Sequence, residues 1–463
     1  MRSKRRRLPE FEPVISFGKK QVPEKNLRLE SSTPQKPLNF KHKPAAITPH
    51  LFVYNPLKIR VDAEIPDRYS PAEPRVDRQI RSPMSQAVSS PVKSAAGLEG
   101  VVAAPSEICF IDGTAGRLVY RGYEIGDLVE NATFEETAYL LWESKLPNRS
   151  ELSQLKSELS EEAKLPDHTL AVLKSLPAET EPMDALRTAA SSLSSIDPDL
   201  QSNDPPANLR KAIRLTAQFP TIVAAFHRLR HNQKLIEPQS GLSIAGNFLH
   251  MLTGGKPHET LVRVLDAALV LHAEHGFNAS TFAARVTAAT LADMHAGVTA
   301  AVSALKGPLH GGANQEVMQL LLDCGDADTA VKRVRTMLNS GEKIPGFGHR
   351  VYKTFDPRAA FLRKMSRQLG EAAGNSKWYE MSERLIPIVK EMKNKDPNVD
   401  FFSASAYYTM GIPIDLYTPI FAIARIAGWT AHIMEQHSNN RIIRPQDDYR
   451  GPFGLKVVPI DQR

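Results

Sequence analysis

The chain has 463 residues, with 58 Lys/Arg against 51 Asp/Glu and a net charge of +7, enough to bury a sizeable core in one to three domains. The charge is uneven: the first 83 residues hold 18 Lys/Arg and 9 Asp/Glu, so the rest is nearly neutral and the basic balance says nothing about what the body binds. Two cysteines, Cys109 and Cys324, exclude a disulfide framework and lack metal-ligand spacing. No run is apolar enough to suggest a membrane span, and this cysteine usage fits the cytoplasm.

The first 83 residues also hold 12 of the 34 prolines and show no sustained helical or strand period. Such a segment buries too little apolar surface to offset its conformational entropy, so a disordered basic extension is expected over 1–96. Arg2, Lys4, Arg5, Arg6 and Arg7 are followed by no apolar stretch of the kind a secretory signal needs. A solvated tail is the plain reading of this composition, and binding of nucleic acid is the alternative.

From Ile108 the pattern changes. Ile108 to Tyr120 reads as two short strands about an Asp112-Gly113 turn. Helical spacing then dominates. Phe134–Trp142 follows Thr133, an expected N-cap. Further helices are predicted over Glu151–Lys164, Asp184–Leu193, Ala212–His231, Ser243–Leu252, Glu259–Glu274 and Ser280–Lys306. Others are predicted over Asn314–Asp323, Ala327–Asn339, Ala359–Glu371, Trp378–Met392 and Thr418–Gln436. The body is expected to be nearly all α.

Several segments carry candidate chemistry. His272 and His275 lie three apart at a predicted helix end, a spacing that matches no zinc motif and suits either a structural pair or substrate binding. His310 stands in Gly307-Pro-Leu-His-Gly-Gly312, just before a helix start, where a histidine is kept neutral and can donate a hydrogen bond. His349 follows Gly346-Phe-Gly348 and precedes Arg350, Lys353 and Arg358. Glycines let backbone approach a ligand, and the three cations favour an anion pocket over a merely solvated loop. Asp400 precedes Phe401-Phe402; it is either a desolvated base or a helix cap. Arg425 interrupts an apolar helix and needs an anionic partner if buried, while Arg444 is a lone loop arginine.

In this order Ile111–Tyr123, Pro182–Arg187, His272–His275, Gly307–Gln315, Pro345–Arg350, Asp356–Arg358, Pro397–Asp400 and Arg441–Pro445 resemble the citrate synthase family, over roughly Gly97 to Pro459. The resemblance implies an all-α fold. It places a large helical domain at 97–312 with 416–463 and a smaller one at 313–415. It also implies a homodimer with a shared active site, the count beyond two being open. The implied reaction, at home in the tricarboxylic acid cycle, condenses acetyl-CoA with oxaloacetate and water to citrate and CoA. No cofactor is held permanently, and coenzyme A enters as the thioester co-substrate. His310, His349 and Asp400 would be catalytic; His275, Arg358, Arg425 and a partner's Arg444 would hold oxaloacetate. Lys353, Arg350 and the backbone of Gly346 and Gly348 would meet coenzyme A. The near rival is 2-methylcitrate synthase, which takes propionyl-CoA and differs by room for one methyl group, worth about 1–3 kcal/mol. A rival of another class is a non-catalytic, nucleic-acid-associated protein acting through its basic tail.

Overall fold

The structure is a computed structural model that describes residues 96–463; the predicted basic extension, all but its last position, lies outside the described residues. Residues 102–463 form one compact unit. It opens on a three-stranded antiparallel sheet, β1 (Cys109–Asp112), β2 (Arg117–Tyr120) and β3 (Tyr123–Glu124), in the order β1-β2-β3. The predicted hairpin is present, but its turn is longer than the Asp-Gly pair suggested. Asp112 Oδ1 accepts from the amides of Thr114 and Ala115 at 2.9 and 2.8 Å, which stretches the turn to Gly116.

Helices make up nearly all the rest. The first seven are α1 (Ile125–Asn131), α2 (Phe134–Glu143), α3 (Arg149–Glu162), α4 (Asp167–Ser175), α5 (Pro182–Leu193), α6 (Pro205–Arg230) and α7 (Ile244–Thr253). Then come α8 (Glu259–His272), α9 (Ala279–Ala288), α10 (Met294–Lys306), α11 (Ala313–Cys324) and α12 (Ala327–Asn339). Four more follow: α13 (Pro357–Ala372), α14 (Lys377–Lys393), α15 (Val399–Thr409) and α16 (Tyr417–Ser438). Thr133 caps α2 in a reciprocal box: it accepts from Glu136 N, and Glu136 Oε2 accepts from Thr133 N at 2.8 Å.

Three differences from the sequence reading have local causes. The helix predicted over Ser280–Lys306 is two, because Leu291 takes a left-handed φ of 63° and Asp293 caps a fresh start by accepting from Ala296 N. No glycine or proline marks that break. Helix α6 begins seven residues earlier than predicted: Pro205 and Pro206 fill the first turn, where a missing N–H costs nothing, behind the Asp204 cap. Helices α1, α4 and α15 were not predicted at all; each is short.

The core is organised around α16, which is buried along most of its circumference, as a helix apolar on all sides must be. It packs on α6, α8, α9, α10 and α2. Helices α11 to α15 pack largely on one another, α13 and α11 on α15 and α12 on α14. Among the described residues no helix is long and apolar enough to cross a membrane. After Ser438 the chain runs to Arg463 with only a short 3-10 turn at Ile460–Gln462, and most of it is exposed.

Candidate active site

The loop between α12 and α13 is tied to the segment that leads into α15. Gly348 N donates to Asp396 O and Asn398 N to Gly346 O, each at 2.9 Å, and Asn398 Nδ2 donates to Gly348 O at 2.9 Å. Gly346 has a φ of 77° and no room for a side chain, since a Cβ would stand 2.7 Å from Val317 Cγ2 and 2.9 Å from Phe401 Cδ2. Phe347 packs on Phe401 with ring centres 4.5 Å apart. The lacing fixes His349 relative to Asp400.

His349 Nδ1 accepts from the amides of Val351 and Tyr352 at 3.0 and 3.2 Å. Amides only donate, so in the neutral ring the proton sits on Nε2. Burial, helped by the charge of Arg358, lowers its pKa to about 4, which keeps the imidazole neutral. The ring centre lies 5.0 Å from that of His275 and 4.8 Å from that of Tyr352. Tyr352 Oη completes the contact at 3.2 Å from His275 Nε2. Burial, then Arg358, hold His275 well below the usual histidine range.

Below these rings lie two buried guanidiniums. Arg358 forms a fork with Asp356, Nε to Oδ1 at 3.0 Å and Nη2 to Oδ2 at 2.8 Å. Asp356 also caps α13 by accepting from Arg358 N at 3.0 Å, and accepts from Val399 N at 3.1 Å. Arg425 donates from Nε to His272 O at 2.7 Å and lies over the Phe421 ring at 4.7 Å, while its Nη2 has no partner among the described residues.

Asp400 sits in the first turn of α15, and the cap there is Asn398, which accepts from Asp400 N at 3.0 Å. The carboxyl of Asp400 thus is not spent on capping, and no hydrogen bond to it is made by the described residues. Its side chain keeps a partly open surface while protein surrounds it at longer range. Burial raises its pKa to about 7 against the pull of Arg358 and Arg425, with Asp356 adding to the rise.

His310 stands in its own turn, His310 N donating to Gly307 O at 2.9 Å. Gly311 beside it is wedged against Leu305 O, 2.5 Å from where a Cβ would be, and Thr418 Oγ1 donates to Gly311 O at 2.9 Å. His310 Nε2 accepts from Ser280 N at 3.3 Å and lies 2.8 Å from Ser280 Oγ. The proton of the neutral ring is therefore on Nδ1. Burial, then Arg425, lower the pKa of His310 to about 4. Its ring is 6.5 Å from that of Phe421, which also meets His272 at 4.9 Å.

The structure thus gathers His275, His349, Arg358, Asp400 and Arg425 into one cluster, and His310 joins it through Phe421 and Arg425. Lys353 and Arg350 are exposed at its rim, and Gly346 and Gly348 shape its loop. Arg444, exposed beyond α16, shares no hydrogen bond or ion pair with the cluster among the described residues. His272 belongs to the core: its Nδ1 is 2.7 Å from Ala268 O and donates to it.

Sequence reasoning overlooked Ser280, Tyr352 and Asp356 as partners of the predicted histidines and arginine. Asp356 alone carried a signal, lying in the same Asp-Pro-Arg triplet as Arg358. It also overlooked Gly113, whose carbonyl accepts from Lys353 N at 2.8 Å. A Cβ on Gly113 would overlap the Val351 carbonyl beside His349. Gly113→Ala is therefore expected to cost about 1–3 kcal/mol, the usual range for overpacking, read as a lowered urea midpoint at unchanged m.

Comparison with known proteins points one way. The family profile described as citrate synthase, C-terminal domain, matches residues 97–446. Citrate synthase 2 of Bacillus subtilis is 52% identical over 369 residues, 79% of this chain and 98% of that protein. The 2-methylcitrate synthase of Shewanella oneidensis is 43% identical over 369 residues, 80% of this chain and 98% of that protein. Citrate synthase of Thermoplasma acidophilum, solved as a ternary complex with carboxymethyl coenzyme A and oxaloacetate, superposes with a TM-score of 0.75 at 31% identity, covering 80% of this chain and 99% of that one.

Proposed function

This chain belongs to the citrate synthase family, and from that premise we propose how its own residues carry out the condensation of acetyl-CoA with oxaloacetate and water to citrate and CoA. One observation carries the reading: an uncommitted carboxylate, Asp400, is raised to about 7 within reach of Arg358 and Arg425, the same guanidiniums that act on the neutral imidazoles of His349 and His310, whose N–H positions are fixed. Asp400 removes a proton from the thioester methyl group while His310 Nδ1–H donates to the thioester oxygen, where the electron pair collects. The resulting enol carbon bonds to the ketone carbon of oxaloacetate. That ketone oxygen gains the negative charge, and His349 Nε2–H donates to it. Water then cleaves the thioester of citryl-CoA and CoA leaves as the thiol.

Oxaloacetate is a dianion, and the buried forks of Arg358 and Arg425, with His275, supply cationic and donor groups for it. Lys353 and Arg350 at the rim suit the phosphates of coenzyme A, and the Gly346 and Gly348 backbone suits its adenine side. The reading includes a homodimer whose partner lends Arg444. It is supported by the extended segment that carries this arginine, which also exposes Ile442, Phe453, Leu455 and Val457 to 60–89%. The large and small divisions of the body, 97–312 with 416–463 and 313–415, are supported by the mutual packing of α11 to α15. Two unpaired cysteines fit a cytoplasmic setting.

The test is thiol release from acetyl-CoA in the presence of oxaloacetate, run beside propionyl-CoA. Preference for acetyl-CoA is the expected result, and a kcat/KM ratio favouring propionyl-CoA would reassign the chain to 2-methylcitrate synthesis. The base must be ionised to act. Log kcat/KM should therefore fall with unit slope as pH drops below about 7, with its acid limb there and not near the ordinary carboxyl value of about 4. A flat profile from pH 5 to 8 would remove Asp400 from the role.

A further inference from the structure

The substrate cluster rests on a second, largely buried one that the proposed chemistry leaves unused. Glu274 precedes His275, and its Oε1 meets His432 Nε2 of α16 at 3.1 Å. Arg285 Nη1 lies 3.2 Å from His432 Nδ1. A guanidinium can only donate, so Nδ1 accepts and the Nε2–H points to Glu274. Arg285 also donates to Glu435 Oε2 at 2.5 Å and Gln436 Oε1 at 3.1 Å, and lies 4.7 Å over the Phe277 ring. Glu274 and His432 are both 0% exposed, and Glu274 Oε2 has no hydrogen-bond partner among the described residues. A carboxyl buried with an unpaired oxygen is costly and calls for a reason.

Its position suggests one. Among the contacts that hold the segment from His272 to His275 are Arg425 Nε on His272 O at 2.7 Å, Tyr120 Oη on Glu274 O at 2.7 Å, and the Glu274 side chain on His432. The first of these also helps to orient Arg425. Helix α16 is shaped to receive the segment: at Gly428, one turn before His432, a Cβ would overlap Glu274 Oε2 and come within 2.5 Å of Ala273 O. We propose that Glu274 is a positioning residue for oxaloacetate: through His432 it anchors to α16 the segment that carries His275 and whose His272 carbonyl orients Arg425. The proposal rests on the reading that those two residues hold oxaloacetate.

The test uses the full chain, with steady-state kinetics in both substrates well below the unfolding temperature. Glu274→Ala should raise the KM for oxaloacetate by about ten-fold or more while the KM for acetyl-CoA shifts by less than about threefold, as a misplaced binding group requires. Glu274→Gln retains an acceptor for His432 and should recover most of that loss. Should the alanine variant fail to fold, Glu274→Asp keeps the charge but draws it back from His432, and should raise the same KM by a smaller factor. His432→Ala should reproduce the effect, and the double variant with Glu274→Ala should be no worse than the poorer single one. Equal shifts in both KM values, fully additive losses, or a lowered melting temperature with unchanged kinetics would each overturn the proposal. A wild-type chain that neither binds oxaloacetate nor releases thiol would overturn the functional reading as well, and is distinguishable from variants that match an active wild type.

Discussion

Asp400→Ala is expected to lower kcat by about 10³-fold, within the range that a positioned general base contributes, while oxaloacetate still binds. The two effects separate because Asp400 faces the thioester in this reading, whereas the dianion is met by His275, Arg358 and Arg425. The α-proton of a thioester is far too weakly acidic for water to remove at this rate, and the neighbouring acids are committed: Asp356 is locked to Arg358 and Val399 N, and Glu274 is fully buried against His432. Calorimetric titration with oxaloacetate beside a thiol-release assay reads both quantities. The folded protein should be no less stable for the change. Asp400 has a pKa raised to about 7 by burial, so above that pH the ionised carboxyl opposes folding, and deleting it relieves the opposition. A variant that melts earlier and loses oxaloacetate along with turnover would show that Asp400 is structural. Undiminished turnover would remove it as the base.

The candidate groups that the structure gathers were legible in the sequence because chemistry constrains local residue type. His310 and His349 sit among glycines whose backbone must turn sharply, and Arg358 follows the Asp-Pro pair that caps and opens α13. Helix spans were legible where the apolar stripe was long, as in α12, whose bounds match those predicted. What escaped was set by distance. Ser280 fixes the tautomer of His310 from 30 residues away, and Tyr352 meets His275 from 77 away. Nothing in the letters around Gly113 announces that its missing side chain makes room for the His349 loop. The split between α9 and α10 escaped for another reason. A lone leucine in left-handed conformation carries no compositional mark, and the Asp293 cap lay inside an unbroken helical pattern. Helix α15 is short and buried on nearly every face, its small polar residues scattered among apolar ones, so it offers no stripe to read.

Asp356→Ala is the second large effect. Asp356 and Arg358 are each 2% exposed, and breaking a buried pair from one side leaves an uncompensated charge, at a cost of about 3–5 kcal/mol. The same change removes the acceptor for Val399 N at the start of α15, one residue before Asp400. Stability and turnover should therefore fall together, the first read by denaturant unfolding and the second by thiol release. Whether the pair exists for stability is decided by replacing both members with apolar residues, as in D356L with R358M. That double variant should recover much of the lost stability, as buried ion pairs replaced by packed side chains commonly do. It should recover no activity, because on the proposed reading Arg358 is needed for the dianion. The pH dependence carries the same distinction. Burial alone would raise the pKa of Asp356, but Arg358 overrides it and holds the carboxyl below its ordinary value. Its stabilising contribution is thus complete above the unfolded value of about 3.9 and is lost only as pH falls through the lower folded one. Asp400 titrates near 7, so acid should silence turnover well before this pair lets go. If unfolding and inactivation instead share one acid midpoint, the carboxyl that stops the chemistry is the one that holds the fold, and the division of labour between the two aspartates fails.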